Sequence, residues 1–444
     1  MLGSRFGKRR LPKGGKAMQL WHEMEREGME ELIFCHDPRS GLKAVIAIHS
    51  TVLGPALGGC RCWTYASEED AVRDAIKLAK GMTYKSAVSG LPYGGGKAVV
   101  WDVPTELRGI TDGNSPGSEI LKKNNEKTEG QTHRDQEAAG IEAGTITDIG
   151  NNINDGPLNT SVIRTNRDPE PSDSIALSLQ ASKRAAIFRA LGRSLERLNG
   201  RYVTGLDLGT TAADMDQIRL ETAHVTDTTG SLGAQDDFTA EMTAYGVYTG
   251  IVTSLCHQGI GALQGISVAV QGLGKVGYAL CRYLHAAGAR LIVADVVPER
   301  VQRALVQFSG AISADPAHIH AANCKVFAPC ALGGVLTPAT VEELRCSIVA
   351  GAANNQLSER ELVVRRMQAR GVLYAPDYVL NAGGIISTAC ELEGAGPDLI
   401  RQKVAGIAGT LSKVYARAKQ SAITTADAAD QLAEAVLQSG KSHA

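Results

Sequence analysis

GISVAVQGLGKVGYALCRYLHAAGARLIVADVV, residues 265–297, reads as strand, glycine turn, helix, strand. Ile266 to Val270 is a short apolar run rich in β-branched residues, the pattern of a buried strand. Gly272, Gly274 and Gly277 fit G-x-G-x-x-G, with Lys275 and Val276 between them. Val276 to Ala286 carries apolar residues at helical spacing, Leu291 to Ala294 is a second strand, and Asp295 stands at its end. In such a unit the first glycine makes the tight turn, the second lets a pyrophosphate approach the backbone, and the third packs helix on strand. The phosphates sit over the helix N-terminus. Asp295 lies about 20 residues on, where a carboxylate holds a ribose 2′-hydroxyl. That charge repels a 2′-phosphate, so NAD is favoured over NADP. The bland alternatives are a glycine-rich turn that binds nothing and an aspartate that merely ends a strand.

A second informative stretch is GMTYKSAVSGLPYGGGKAVV, residues 81–100, with Lys85 and Lys97 twelve residues apart. Gly94, Gly95 and Gly96 are expected to let the backbone bend sharply before Lys97 and admit a small molecule. A neighbouring ammonium and partial burial both push a lysine's pKa down, and a lysine so tuned can act as a base near neutral pH. Read locally, the same residues are also a glycine turn with two solvated lysines.

The chain resembles the amino-acid dehydrogenases acting on leucine, valine and phenylalanine, within the wider glutamate dehydrogenase superfamily. The matching segments are GPALGGCRCW (54–63), GMTYKSAVSGLPYGGGK (81–97), RYVTGLDLGTTAADMD (201–216), TAYGVYTG (243–250), VQGLGKVG (270–277), FAPCALGG (327–334), VAGAANNQL (349–357) and YAPDYVLNAGGII (374–386). They cover about residues 30–101 and 183–435.

The resemblance implies an α/β fold: an N-terminal α/β substrate domain and a C-terminal Rossmann NAD-binding domain. Residues 18–239 would bind substrate and support oligomerisation, 240–400 would bind NAD, and 401–444 would pack back on the first domain. By the same resemblance Lys85, with a Gly58-Gly59 turn, binds the substrate α-carboxylate. Lys97 activates water as general base, and Asp207 passes protons to and from the substrate nitrogen. Asn354 and Asn355 fall where the family places a substrate-contacting asparagine, Asn355 also near cofactor. Thr243 would hold the nicotinamide carboxamide, and Gly272, Gly274, Lys275, Val276, Gly277 and Asp295 the rest of NAD. Taken alone, Asp207 is equally readable as a helix N-cap before Thr210 and Thr211, and Asn354 and Asn355 as the close of a turn.

The implied reaction is reversible oxidative deamination of an apolar or aromatic L-amino acid to the 2-oxo acid and ammonium. The side-chain pocket would be lined by Leu57, Gly205, Ile385 and Thr388. Glycine at 205 is expected to widen the pocket floor, while β-branched Ile385 narrows the opposite wall. The alternative is a non-catalytic relative that binds NAD or a partner protein.

Composition agrees. A chain of 444 residues with net charge −1 suggests two or three domains and gives no electrostatic case for nucleic acid or membrane. Nine scattered cysteines point to reduced thiols and a cytoplasmic setting, and C-x-C at Cys60 and Cys62 lacks a second pair, so no metal is expected. His318 and His320 are expected to be solvated. A homo-oligomer is implied by the resemblance.

Three features depart from the family pattern. Residues 1–17 carry six basic residues and no acid, a basic leader expected to be disordered. Residues 102–182 contain no Phe, Tyr, Trp, Cys or Met and are expected to be a mostly disordered polar insertion. Such an excursion costs little if its ends stay close, so Lys97 and Asp207 can still converge. Before Thr243 stands GAQDDFTAEM, whose Asp236, Asp237 and Glu241 would place extra negative charge near the cofactor.

Overall fold

A computed structural model describes residues 19–101, 171–235 and 237–441. The basic leader, residues 102–170 of the polar insertion and Asp236 lie outside the described residues. Two sheets organise the chain. The first contains β1 (Glu31–Asp37), β2 (Leu42–Ser50), β3 (Ala56–Trp63), β4 (Gly94–Trp101) and β5 (Tyr202–Leu206), in the order β1-β2-β4-β3-β5. β3, β4 and β5 run parallel to one another, while β2 is antiparallel to both β1 and β4. Helices α1 (Leu20–Glu27), α2 (Glu68–Val88), α3 (Pro171–Glu196) and α4 (Ala212–Arg219) complete this half.

The second sheet is parallel throughout: β6 (Ser267–Gln271), β7 (Arg290–Ala294), β8 (Ile312–Ser313), β9 (Val326–Pro329), β10 (Ile348–Val349) and β11 (Leu373–Tyr374), in the order β11-β10-β9-β6-β7-β8. Strand order reverses at β6, and in open α/β sheets that switch point is where ligands bind. Helices α5 (Phe238–His257), α6 (Lys275–Ala286), α7 (Pro298–Gln307), α8 (Pro338–Glu343), α9 (Arg360–Ala369), α10 (Asp377–Leu380), α11 (Gly383–Leu392), α12 (Pro397–Ala405), α13 (Ile407–Ser421) and α14 (Thr425–Lys441) follow in order.

The inner strands of both sheets are buried on two faces, which explains why β4, β6 and β9 are largely apolar rather than alternating. Along β4, Ala98 and Val100 pack with Ile187, Phe188, Leu191 and Leu195 of α3. Val99 points the other way, into a core with Ala71, Ala75, Ile76 and Ala79 of α2. In the second sheet, Val268 and Val270 join one core and Ala269 the other.

Helix α2 sets the reach of the site. Ser67 caps its N-terminus by accepting from the Asp70 amide, and Glu68, Glu69 and Asp70 fill its first turn, where the helix dipole favours acids. Lys85 occupies the last turn, the end that favours a cation. The run Ala71, Ala75, Ala79 lets α2 lie close on the sheet. Helix α14 packs on α2, with the Tyr84 hydroxyl 3.1 Å from Glu434 Oε1.

Several expectations need correction. Gly94, Gly95 and Gly96 form no bend; they lie buried in strand β4. Their lack of side chains serves close packing instead. A Cβ on Gly95 would sit 2.1 Å from the Thr83 amide nitrogen of α2, and one on Gly96 would sit 2.7 Å from the Tyr202 ring. Likewise Gly58 and Gly59 belong to strand β3 and make no turn. A Cβ on Gly58 would meet the Gly96 carbonyl oxygen at 1.9 Å, because neighbouring strands converge there. The insertion is shorter at its end than expected, since α3 begins at Pro171 and absorbs residues 171–182. Extending an existing helix avoids the cost of nucleation, and proline is tolerated in its first turn. His320 is buried, not solvated, with Nε2 2.8 Å from Glu343 Oε2.

Gly95→Ala is expected to push α2 off β4 and lower stability by about 1–3 kcal/mol, the range for overpacking a tight contact. Urea unfolding would measure it; an unchanged midpoint would refute the close approach.

Candidate active site

Between the two sheets lies a cavity of about 360 Å³. Its walls come from β3, α2, β4, the end of β5, α5, the loop after β10, and α10–α11. Lys85, Lys97, Asp207, Leu57, Gly58, Gly59, Gly205, Thr243, Val276, Asn354, Asn355, Ile385 and Thr388 all line it. Residues far apart in sequence thus meet in one place.

The charged centre is a chain of ion pairs. Lys97 Nζ lies 3.0 Å from Asp207 Oδ2, and Arg61 Nε donates to the same oxygen at 3.0 Å. Arg61 Nη1 donates to Asp74 Oδ2 at 2.8 Å, and the Tyr65 hydroxyl donates to that oxygen at 2.6 Å. Lys97 is buried on β4, while Arg61 on β3 and Asp207 just past β5 are half-buried, so three adjacent parallel strands present the three groups together. Burial alone would raise the Asp207 carboxyl. The Lys97 ammonium and the Arg61 guanidinium overcome that and hold it well below its ordinary value of 3.8. Asp207 is no helix cap: Thr211 caps α4, in a capping box with Asp214. The Asp207 loop is held by Thr210, whose hydroxyl donates to the carbonyls of Asp207 at 2.8 Å and Cys60 at 3.0 Å.

Lys85 sits across the cavity. Burial lowers its pKa to about 8, assisted by Lys97 and opposed by Asp377 and Asp207. Its Nζ lies 3.5 Å from Asn354 Oδ1, an oxygen that also accepts from Asn381 Nδ2 at 2.7 Å. Asn381 Nδ2 donates in turn to the Ala352 carbonyl at 3.0 Å. Burial raises the Asp377 carboxyl even though it accepts from the Gln356 and Tyr378 amides. Asn355 takes a left-handed backbone, φ 53°, at the bend that turns this loop into the cavity.

The nucleotide side is built around the glycine turn. Gly272 has φ 94°, and a Cβ on Gly277 would sit 1.9 Å from the Gly272 carbonyl oxygen, so both positions require glycine. Gly274 caps α6 without a side chain, leaving the helix N-terminus open. The Asp295 carboxylate clamps this turn: Oδ2 accepts from the Leu273 amide at 2.6 Å and Oδ1 from the Val297 amide at 2.9 Å. Arg300 Nη1 stands 3.6 Å away. Thr243 donates to the Thr239 carbonyl at 2.9 Å, and Thr388 to the Gly384 carbonyl at 3.1 Å. Of the extra acids before Thr243, the two among the described residues do not leave bare negative charge. Asp237 pairs with Lys275 at 2.8 Å, and Glu241 pairs with Arg282.

One expectation about the pocket fails. Gly205 does not open its floor, because neighbours already fill the space a methyl would take. A Cβ there would sit 2.4 Å from Asp227 Oδ2 and 2.4 Å from Thr226 Oγ1. Residue-by-residue reading also passed over Arg61, Asp74, Asp377 and Asn381. Arg61 was findable, since it lies two residues beyond Gly59 on one strand and so shares its face. Asp74 and Asp377 carried no local signal.

Residues 29–109 match the family described as Glu/Leu/Phe/Val dehydrogenase, dimerisation domain, and residues 299–436 match Glutamate/Leucine/Phenylalanine/Valine dehydrogenase. Leucine dehydrogenase of Thermoactinomyces intermedius is 40% identical over 418 residues, 94% of this chain and 93% of that protein. Valine dehydrogenase of Streptomyces albus is 37% identical over 94% of this chain and 93% of its own. The crystal structure of L-tryptophan dehydrogenase from Nostoc punctiforme superposes with TM-score 0.65 at 33% identity, covering 95% of this chain and 99% of that one.

Asp207→Asn should unpair Lys97 and Arg61 and cost on the order of 2–3 kcal/mol near neutral pH. Because the folded-state pKa is depressed, this stabilisation is present above 3.8 and lost as pH falls below it. The gap between wild type and variant in urea unfolding should therefore narrow below about pH 4; a gap independent of pH would sink the assignment.

Proposed function

The chain belongs to the Glu/Leu/Phe/Val dehydrogenase family and is an amino-acid dehydrogenase, and we propose that Lys97, Asp207 and Lys85 carry its oxidative deamination of an L-amino acid to the 2-oxo acid and ammonium. The observation that carries the residue assignment is the Lys97–Asp207 ion pair, backed by Arg61, facing Lys85 across one cavity. A non-catalytic role is not favoured, since burying Lys85 and Lys97 against one cleft carries a desolvation cost that a catalytic role accounts for.

The enzyme is NAD-dependent, and the residues present fit that cofactor. The turn at Gly272 and Gly277 leaves no room for side chains, the α6 N-terminus is open, and strand order reverses at β6. We assign Gly272, Gly274, Lys275, Val276 and Gly277 to the phosphates and adjoining ribose, Asp295 to the adenosine ribose, and Thr243 with Asn355 to the nicotinamide side. When bound, NAD supplies the acceptor for the hydride that leaves the substrate α-carbon.

The protein's own groups do the remaining work. Lys85, with the strand backbone at Gly58 and Gly59, holds the substrate carboxylate, and Asn354 steadies the Lys85 ammonium. Asp207 faces the substrate nitrogen, receiving its proton and returning it when the carbinolamine collapses. An incoming substrate ammonium competes for Asp207 Oδ2 and loosens its hold on Lys97; Lys97 then releases its ammonium proton to solvent and, as the neutral amine, takes a proton from the attacking water. Arg61 keeps Asp207 ionised until the substrate nitrogen delivers its proton. Asn381 orients Asn354 and acts as a positioning residue. Closure of the cleft would exclude bulk water.

We place the substrate domain at residues 18–239, the NAD domain at 240–400 and the C-terminal helices at 401–444. Among the described residues no helix is long and apolar enough to cross a membrane. A cytoplasmic homo-oligomer is the assembly and setting we propose, supported by the free thiols of all nine cysteines and by the match to a dimerisation domain.

Lys97→Ala is expected to lower kcat by about 10²–10⁴-fold, the contribution typical of a positioned acid–base group, while leaving NAD affinity intact. NADH absorbance with leucine or phenylalanine would measure the first and calorimetric titration the second; undiminished turnover would remove Lys97 from the mechanism. Lys85 titrates near 8, so affinity for a carboxylate inhibitor such as 4-methylpentanoate should weaken as pH rises through about 8. In Lys85→Met that dependence should vanish. A wild-type profile flat from pH 7 to about 9 would contradict the role.

A further inference from the structure

A carboxylate at residue 295 is expected to repel a 2′-phosphate, yet the structure leaves little of that charge facing outward. The Asp295 side chain is 5% exposed, and each oxygen already holds a backbone amide. Oδ2 accepts from Leu273 at 2.6 Å and Oδ1 from Val297 at 2.9 Å. Both bonds serve the chain itself, fixing the glycine turn to the end of β7. Outside the carboxylate stands Arg300, whose Nη1 lies 3.6 Å from Oδ2 and whose side chain is 40% exposed. The charged group that meets solvent at this point is therefore the guanidinium. Its positive charge beside the carboxylate offsets the repulsion that an approaching anion would feel.

Helix stability does not account for Arg300. It is the third residue of α7, in the first turn, the end of a helix that favours acids over cations. Its contact with Asp295 is longer than a hydrogen bond, and an ion pair with one partner this exposed contributes little. The remaining guanidinium donors have no partner among the described residues. Arg303 lies three residues on, and so shares the same face of α7. Its Cζ stands 3.8 Å from the centre of the Tyr278 ring, tying α7 to α6, the helix that the glycine turn opens. Glu299 is exposed and adjacent in sequence to Arg300, and neighbours one residue apart do not share a helix face. The edge of the nucleotide site beside Asp295 is thus cationic, with free donors.

We propose that Arg300 is a specificity-determining residue for the coenzyme, its guanidinium binding a 2′-phosphate, so that the site takes NADP as well as NAD. The inference rests on the assignment of the glycine turn and Asp295 to the nucleotide, and extends it. In such folds the residue at the end of the second strand meets the ribose 2′-hydroxyl, and an arginine close by accommodates a 2′-phosphate. The planar guanidinium matches two phosphate oxygens with parallel hydrogen bonds. With NAD the same donors meet the 2′-hydroxyl oxygen, so the unphosphorylated coenzyme is not excluded. Asp295 keeps its two amides in either case and holds the turn.

The test is calorimetric titration of the full chain with two matched pairs: adenosine 2′,5′-bisphosphate against 5′-AMP, and NADPH against NADH. Wild-type affinity for the 2′-phosphorylated member of each pair is expected to come within about tenfold of its partner, or to exceed it. Arg300→Gln should weaken both 2′-phosphorylated ligands by about 10–100-fold, the span of a lost charge-assisted hydrogen bond, while changing 5′-AMP and NADH by less than about threefold. A merely structural role for Arg300 would move both members of a pair together. Wild-type binding of the 2′-phosphorylated ligands more than about tenfold weaker than that of their partners would overturn the proposal and leave the NAD site intact. So would an Arg300→Gln variant in which both members weaken equally or neither does. Failure of NADH and 5′-AMP to bind folded wild-type protein would instead overturn the nucleotide-site assignment beneath it.

Discussion

Asp207 accepts from two cations at once, and much of the first domain is arranged to make that possible. Lys97 is buried and Arg61 half-buried on neighbouring strands, and a cation withdrawn from water is tolerable only with a partner in place. One carboxylate serves both because it stands at the end of the third parallel strand, β5. Arg61 passes on to Asp74 of α2, so the helix is tied to the same network that sets the reacting groups. The charges are therefore structural and chemical at the same time: the sheet order brings them together, and their mutual compensation lets the sheet bury them.

Close packing is what brings Lys85 within reach. Successive glycines on β4 and the pair on β3 let α2 and Tyr202 approach the strands closely, at distances no Cβ would permit. The Tyr202 hydroxyl then fills the gap, donating to the Gly58 carbonyl at 2.8 Å and accepting from the Ala98 amide at 2.9 Å. The result is a cavity that brings strand backbone together with charged and hydrogen-bonding side chains from both halves. Electrostatic effects are larger in such a place than in water, which is why a lysine there can titrate near 8 and an aspartate can stay ionised.

The two halves differ in how much of them was legible. In the second, the G-x-G-x-x-G turn, its flanking strands and α6 fall within a residue or two of their expected places, because glycine chemistry and hydrophobic period are local. In the first, Lys85, Lys97 and Asp207 were identifiable, yet the glycines beside them were misread as turns. A run of glycines signals the absence of side chains, and only the neighbouring helix and ring reveal whether that absence serves flexibility or contact. The polar stretch before Lys183 was misread in the same way: lack of aromatics argued against structure, but residues 171–182 need only continue a helix that begins its packing further on.

The sequence by itself determined the two-sheet α/β plan and the nucleotide turn, which depend on residue type and short-range spacing, and its resemblance to the family singled out Lys85, Lys97 and Asp207 as the groups proposed to react. Tertiary structure decided what surrounds them: Arg61 sharing Asp207, Asn381 holding Asn354, Asp295 committed to its own turn, and Asp227 filling the floor beside Gly205. Each of those depends on residues separated by more than twenty positions and brought within about 3 Å by strand order and helix packing. No local pattern encodes such a distance, because which groups meet is set by how whole elements pack, and packing is a property of the folded chain.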